Sequence, residues 1–152
     1  MSTEKKKILL IDDDESILTT LQSYLSKIGY ATDTAKNGSE AVEKAAKEYF
    51  NLAIIDLILP DMLGTQLIVK MSGNSPRMRK IILTGHATLD NAIEALNLGA
   101  DAYLMKPVNP KDLLKVIEEQ LLKQQEDMAM SQEKFSDFVS TRIKQREQDR
   151  HP

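Results

Sequence analysis

Cysteine is absent from this 152-residue chain, which excludes disulfides and thiolate metal sites and makes a reducing cytoplasm the expected setting. Tryptophan is also absent, and aromatics make up only 5% of the residues, which argues against a surface built to stack nucleobases. Neither sign of charge dominates. Twenty Lys and Arg stand against 23 Asp and Glu, a net charge of −3, so no global attraction to nucleic acid or anionic membrane is expected. Long apolar runs are missing too. The polar residues 1–7 lead straight into Ile8, Leu9, Leu10 and Ile11, a run too short for a signal peptide or a membrane span. What is present is 41% hydrophobic and 28% charged, enough apolar content for one packed domain with something short attached.

Five short apolar runs read as strands: residues 7–11, 30–35, 52–55, 80–83 and 102–105. The run Leu52-Ala53-Ile54-Ile55 does not alternate, which fits a strand buried on both faces. Amphipathic stretches between them read as helices over residues 16–28, 39–49, 65–71 and 89–98, with Tyr49 placed on the inner side of the second. Gly29 and Gly99 supply stops, Asn37-Gly38 a turn, and residues 72–77 a Gly/Asn/Ser/Pro loop. A last helix starts cleanly, with Asn109 as cap, Pro110 at the first helical position and Asp112 in the first turn. Five alternations of strand and helix predict an α/β fold, a parallel sheet with helices on both faces and right-handed crossovers.

In open parallel sheets, ligands bind outside the carboxyl ends of the strands. The unusual polar residues fall at those ends: Asp12 and Asp13 after the first strand, Asp56 after the third, Thr84 after the fourth and Lys106 after the fifth. Alone, each has an ordinary reading as a turn or surface residue; four such coincidences on one edge point to a site. Three carboxylates in one cleft repel unless a cation intervenes. Lys106 supplies one positive charge, and Mg²⁺ fits as a hard, oxygen-liganded ion that leaves positions open for phosphate. A carboxylate within such a cradle is a candidate nucleophile, giving an aspartyl phosphate. Metal and Lys106 would neutralise the transferring group while Thr84 donates a hydrogen bond.

The stretches Ile11-Asp12-Asp13-Asp14, Ile55-Asp56-Leu57-Ile58-Leu59-Pro60-Asp61-Met62, Thr84-Gly85 and Tyr103-Leu104-Met105-Lys106-Pro107 resemble the receiver domain of two-component response regulators. The resemblance covers residues 5–122 and implies a doubly wound, flavodoxin-type sheet of order 2-1-3-4-5. It implies that Asp56 accepts a phosphoryl group from a phosphohistidine of a sensor histidine kinase or phosphotransfer protein. Asp13 and Asp56 would hold Mg²⁺ directly, with the backbone carbonyl of Ile58, and Asp12 through a metal-bound water. Lys106 would pair with the phosphate beside a cis bond to Pro107. Thr84 and Tyr103 would form the switch pair, with the Tyr103 ring able to lie outward at rest, and change the surface of helix 4, strand 5 and helix 5 that contacts a downstream protein. Ile58 and His86 flank the site; apolar Ile58 is expected to exclude attacking water and slow phosphoryl loss, and His86 is expected to be a loop surface residue. The chain would then be no enzyme beyond its own phosphorylation and dephosphorylation. An Asp-nucleophile, Mg²⁺-dependent phosphatase is the alternative, although such enzymes commonly carry a second acid two residues on, where Ile58 stands. A further alternative is a truncated receiver of a larger transcriptional regulator.

Residues 123–152 continue the helical pattern. No Gly or Pro occurs between Pro110 and Pro152, and a helix is expected from residue 111 to about residue 146. Leu114, Ile117, Leu121, Met128, Phe135 and Phe138 fall on an a/d heptad, with Gln124 and Ser131 as weak members, which favours a parallel dimeric coiled coil over a separate C-terminal helix docked on a receiver or a signalling helix that led to an output domain. A homodimer is thus expected through this helix, through the helix 4–strand 5–helix 5 surface, or both. Arg142, Lys144, Arg146 and Arg150 are interspersed with Glu147 and Asp149, unlike a purely basic nucleic-acid arm. Protein contacts, without direct nucleic acid or membrane binding, are the expected output.

Overall fold

The computed structural model describes residues 4–73, 75 and 77–149. Asn74 and Pro76 of the expected loop, and Arg150 of the tail, lie outside the described residues. Strands β1 (Lys7–Ile11), β2 (Ala31–Ala35), β3 (Leu52–Ile55), β4 (Arg79–Thr84) and β5 (Ala102–Met105) form one sheet in the order β2-β1-β3-β4-β5. Every pairing is parallel, with Leu10 opposite Ile54, Ile54 opposite Ile81, and Thr84 opposite Met105. The helices are α1 (Glu15–Ile28), α2 (Gly38–Lys47), α3 (Gly64–Ser72), α4 (Leu89–Asn97) and α5 (Pro110–Asp149).

The continuous apolar strands follow from burial on both faces. Leu9, Ile11, Ala53, Ile55 and Ile82 pack into one core with Ala41 of α2, Leu67, Ile68 and Met71 of α3, and Ala95 of α4. The alternate residues Ile8, Leu10, Leu52, Ile54, Ile81 and Leu83 pack into the other, with Leu18 and Leu25 of α1 and Leu113, Ile117 and Leu121 of α5. A one-residue slip in any strand would exchange the two faces, so the register fixes which loops meet at the carboxyl edge.

Helix starts are set by short polar side chains. Asp14 accepts from the amides of Ser16 (2.9 Å) and Ile17 (3.4 Å) at α1. Asn37 accepts from the Glu40 amide at α2 (2.8 Å), Thr88 from the Asn91 amide at α4 (3.1 Å), and Asn109 from the Lys111 amide at α5 (2.8 Å). Gly29 ends α1 at φ 119°, a left-handed conformation that favours glycine.

Two details differ from the expectation. Helix α2 stops at Lys47 because Glu48 turns extended; Tyr49 is 57% exposed, and Phe50 is the aromatic that enters the core. In α5 the inward residue is Leu113, fully buried, while Leu114 is only half-buried. Ile117 and Leu121, two members of the expected coiled-coil seam, are already buried in the domain's own second core.

The chain divides into two compact units, Met1–Leu121 and Leu122–Pro152. The second unit is helical through Asp149, its described residues being the C-terminal part of α5.

Candidate functional site

The carboxyl edge of the sheet gathers the acids because β1 and β3 are adjacent and in register, Ile11 opposite Ile55. The next residue of each strand is therefore Asp12 beside Asp56, tied by the Asp56 amide donating to the Ile11 carbonyl (2.9 Å). Asp12 and Asp56 are buried, and Asp13 is exposed. Oxygens of the three carboxylates lie within 4.8 Å of one another. Lys106 reaches them from the end of β5: its Nζ donates to Asp12 Oδ2 at 2.7 Å and stands 3.5 Å from Asp56 Oδ2. Its peptide bond to Pro107 is cis, as the resemblance implied.

The electrostatics are unbalanced. Burial pushes the Asp12 carboxyl above its usual range, outweighing the hydrogen bond and charge of Lys106. Burial also opposes the charge on Lys106, yet the hydrogen bond and charge of Asp12, with Asp56 adding to them, hold the ammonium above its usual value. Asp56 Oδ1 is buried and has no hydrogen-bond partner. Three carboxylates facing one ammonium, with an orphaned oxygen among them, fit a hard divalent cation such as Mg²⁺. One ammonium offsets only part of the repulsion among three carboxylates.

Thr84 is fully buried at the end of β4, and its Oγ1 accepts from the His86 amide at 3.1 Å. The backbone also joins β4 to the lysine, the Lys106 amide donating to the Thr84 carbonyl (2.9 Å). The Tyr103 ring does not take the outward pose open to it. Its half-buried ring packs against the core that includes Ala95 of α4, and its hydroxyl is enclosed without a partner. The apolar ring faces gain by packing there, at the cost of an unpaired hydroxyl. Ile58 is 44% exposed and bridges to Leu63; His86 is exposed in the loop after β4, as expected.

Two contributors were not legible as site residues. A Cβ on Gly64 would lie 2.4 Å from the Asp56 carbonyl oxygen and 3.0 Å from Leu57 Cα, so only glycine lets α3 begin against the backbone of Asp56. Asp61, from the same loop, accepts from the Gly38 amide (2.8 Å) and from the Ser39 amide and hydroxyl (2.9 Å each). Those bonds hold its carboxyl below the usual range and pin the loop to the start of α2. Pro60 and Gly64 signalled a loop; nothing in the sequence signalled what it touches.

A doubly wound parallel sheet with acids and one lysine converging at its carboxyl edge defines the class of protein. The chain belongs to the response regulator receiver domain family, which it matches over residues 8–118. It is 36% identical over 107 residues to the alginate biosynthesis transcriptional regulatory protein AlgB of Pseudomonas putida, covering 70% of this chain and 24% of AlgB. The chain thus spans about a quarter of the length of that relative. Among solved structures, a CheY-like receiver domain protein from Methanospirillum hungatei is 46% identical with a TM-score of 0.79, covering 82% of this chain and 99% of that one. A response regulator from Burkholderia pseudomallei, solved with a phosphorylated aspartic acid and a calcium ion, is 35% identical with a TM-score of 0.72, covering 84% and 75%. No helix among the described residues is long and apolar enough to cross a membrane.

Proposed function

We propose that Asp56 is the phosphoacceptor of this receiver and takes its phosphoryl group from a phosphohistidine of a sensor kinase or phosphotransfer protein. The observation that carries the reading is the Asp56 carboxylate itself: buried, one oxygen orphaned, the other 3.5 Å from Lys106. In the transfer an Asp56 oxygen forms the new P–O bond while the P–N bond to the donor histidine breaks. The imidazole leaves with the electron pair and takes up a proton. Asp12, Asp13, Asp56 and the Ile58 carbonyl would hold Mg²⁺, which when bound supplies positive charge against the phosphoryl oxygens. Lys106 supplies the fixed ammonium on the other side, and the Thr84 hydroxyl rotates from its acceptor role toward His86 to donate to the phosphoryl group. The Burkholderia relative, solved with a phosphorylated aspartic acid and a calcium ion, supports this reading.

The output follows from differential contact: only the phosphorylated form gives Lys106 and Thr84 an anionic partner. Thr84 ends β4 and Tyr103 lies on β5, and the neighbouring α4 and the end of β5 expose Leu89 (76%), Ile93 (49%), Leu96 (49%) and Met105 (64%). We read that apolar surface as the docking face for a downstream protein, with Tyr103 as the element that phosphorylation locks.

The test is intact mass after treatment with acetyl phosphate and Mg²⁺. One added phosphoryl group is expected in the wild type and none in Asp56→Ala or with chelator. A wild type that gains nothing, or an Asp56→Ala that gains as much, overturns the reading.

A further inference from the structure

The loop after Asp56 is a small hairpin, and its tip takes no part in the phosphoryl chemistry. The stem is one antiparallel bridge between Ile58 and Leu63. Two bonds flank it: the Gly64 amide donates to the Leu57 carbonyl (2.6 Å) and the Leu59 amide to the Met62 carbonyl (3.1 Å). In that pattern the bridged pair itself exchanges no hydrogen bond, so the Ile58 amide and carbonyl point away from Leu63. Pro60 and Asp61 form the turn.

A two-stranded ribbon is marginal by itself in water. Leu57 and Leu59 are buried, but Ile58 (44%) and Leu63 (46%) are not, so burial does not seal the bridge between them. Pro60 brings no amide to the turn. The tip is held from outside. Asp61 accepts from the Gly38 amide (2.8 Å) and from the Ser39 amide and hydroxyl (2.9 Å each), the first two residues of α2. The next amides of that helix go to Asn37, Glu40 to its side chain (2.8 Å) and Ala41 to its carbonyl (3.2 Å). Asp61 and Asn37 thus divide the first turn of α2 between them, and of the two only Asp61 belongs to the hairpin. Met62 adds a second hold, its side chain lying where a Cβ on Gly38 would be.

One planar peptide carries this anchorage to the site. The Ile58 carbonyl and the Leu59 amide belong to the same rigid unit and point in opposite directions. The Leu59 amide is aimed by the Met62 carbonyl, and Met62 directly follows Asp61. Holding Asp61 holds Met62, which fixes the plane of the 58–59 peptide and with it the direction of the Ile58 carbonyl.

We propose that Asp61 is a positioning residue for the cation, aiming the Ile58 carbonyl through the hairpin while standing outside the cluster of Asp12, Asp13 and Asp56. This rests on the reading that Mg²⁺ is held at this edge with the Ile58 carbonyl among its ligands. Mg²⁺ demands near-ideal octahedral geometry, so a carbonyl left to swing weakens binding.

The test is titration of the unphosphorylated full chain with Mn²⁺, an ion that suits the same oxygen ligands, read by electron paramagnetic resonance of the free ion. Asp61→Ala should raise the dissociation constant by about tenfold, the low end for residues that orient metal ligands. Asn37→Ala is the control. It also removes a cap of α2 and lowers the melting temperature, but it leaves the hairpin tip tied, so its dissociation constant should stay within about twofold of wild type. The Asp61→Ala shift should persist in about 1 M KCl, where the Debye length is about 3 Å. An Asp61→Ala protein that binds like wild type overturns the inference, as does an Asn37→Ala shift of equal size or a shift that vanishes in salt. A wild type whose binding Asp13→Ala leaves unchanged overturns the metal reading itself, and the inference with it.

Discussion

Replacing Gly64 by alanine drives a methyl group into the backbone of the proposed phosphoacceptor. The added carbon would sit 2.4 Å from the Asp56 carbonyl oxygen and 3.0 Å from Leu57 Cα, and neither is the tip of a flexible side chain that swings aside. Relief requires α3 to back away from β3, yet the Gly64 amide donates to the Leu57 carbonyl at 2.6 Å, and Leu67 and Ile68 of the same helix are fully buried. Overpacking of this kind costs about 1–3 kcal/mol. For a domain of this size that corresponds to a fall in melting temperature of about 3–15 °C. The displacement also moves Asp56, and misplacement of a reacting group on the ångström scale costs up to about a hundredfold in rate. Gly73→Ala is the internal control: φ −68° and ψ −33° suit alanine, and nothing lies within 4 Å of the new methyl. It should stabilise by about 0.4–1 kcal/mol through the unfolded chain. The assay pairs thermal melts with phosphoryl uptake from acetyl phosphate. A Gly64→Ala protein that melts and reacts like the wild type refutes the claim that α3 packs on the Asp56 backbone.

Tyr103→Phe deletes a buried hydroxyl that has no partner, so it should raise stability by about 1 kcal/mol in the unphosphorylated protein; a loss of stability would mean the hydroxyl is bonded. Lys80 is 4% exposed, and burial holds its ammonium below the usual value despite the charge of Asp101. Native Lys80 therefore releases its proton at lower pH than the unfolded chain does. Its contribution to stability rises as pH climbs from the folded pKa toward 10.5, the ordinary lysine value. Lys80→Met should be the more stable protein at neutral pH, with the gap narrowing in alkali; a gap flat across that range refutes the burial argument. Ile58→Asn places a polar group beside the cradle where Ile58 is 44% exposed, and it should speed phosphoryl loss by admitting water. A decay rate equal to wild type would reject the shielding role of Ile58.

The carboxyl-edge cluster was legible because parallel topology does the gathering. Once strands alternate with helices, the residue after each strand arrives at a common edge, so Asp12, Asp56, Thr84 and Lys106 converge by construction. What was not legible depends on through-space neighbours instead. Which pose the Tyr103 ring takes depends on the core it packs against, which no local pattern encodes. Gly64 and Asp61 looked like loop punctuation, and only the fold brings the backbone of Asp56 to one and the start of α2 to the other. The heptad in α5 shows the limit most sharply. Spacing of three and four says that a helix face is apolar and says nothing about what covers it. Here the pattern has two occupants in succession. Leu113, Ile117 and Leu121 serve the domain's own core, whereas Phe135, Phe138 and Val139 are exposed. Read as one seam, the stripe runs through the domain's own core; divided where that core ends, only the residues from Met128 onward remain to face a second helix.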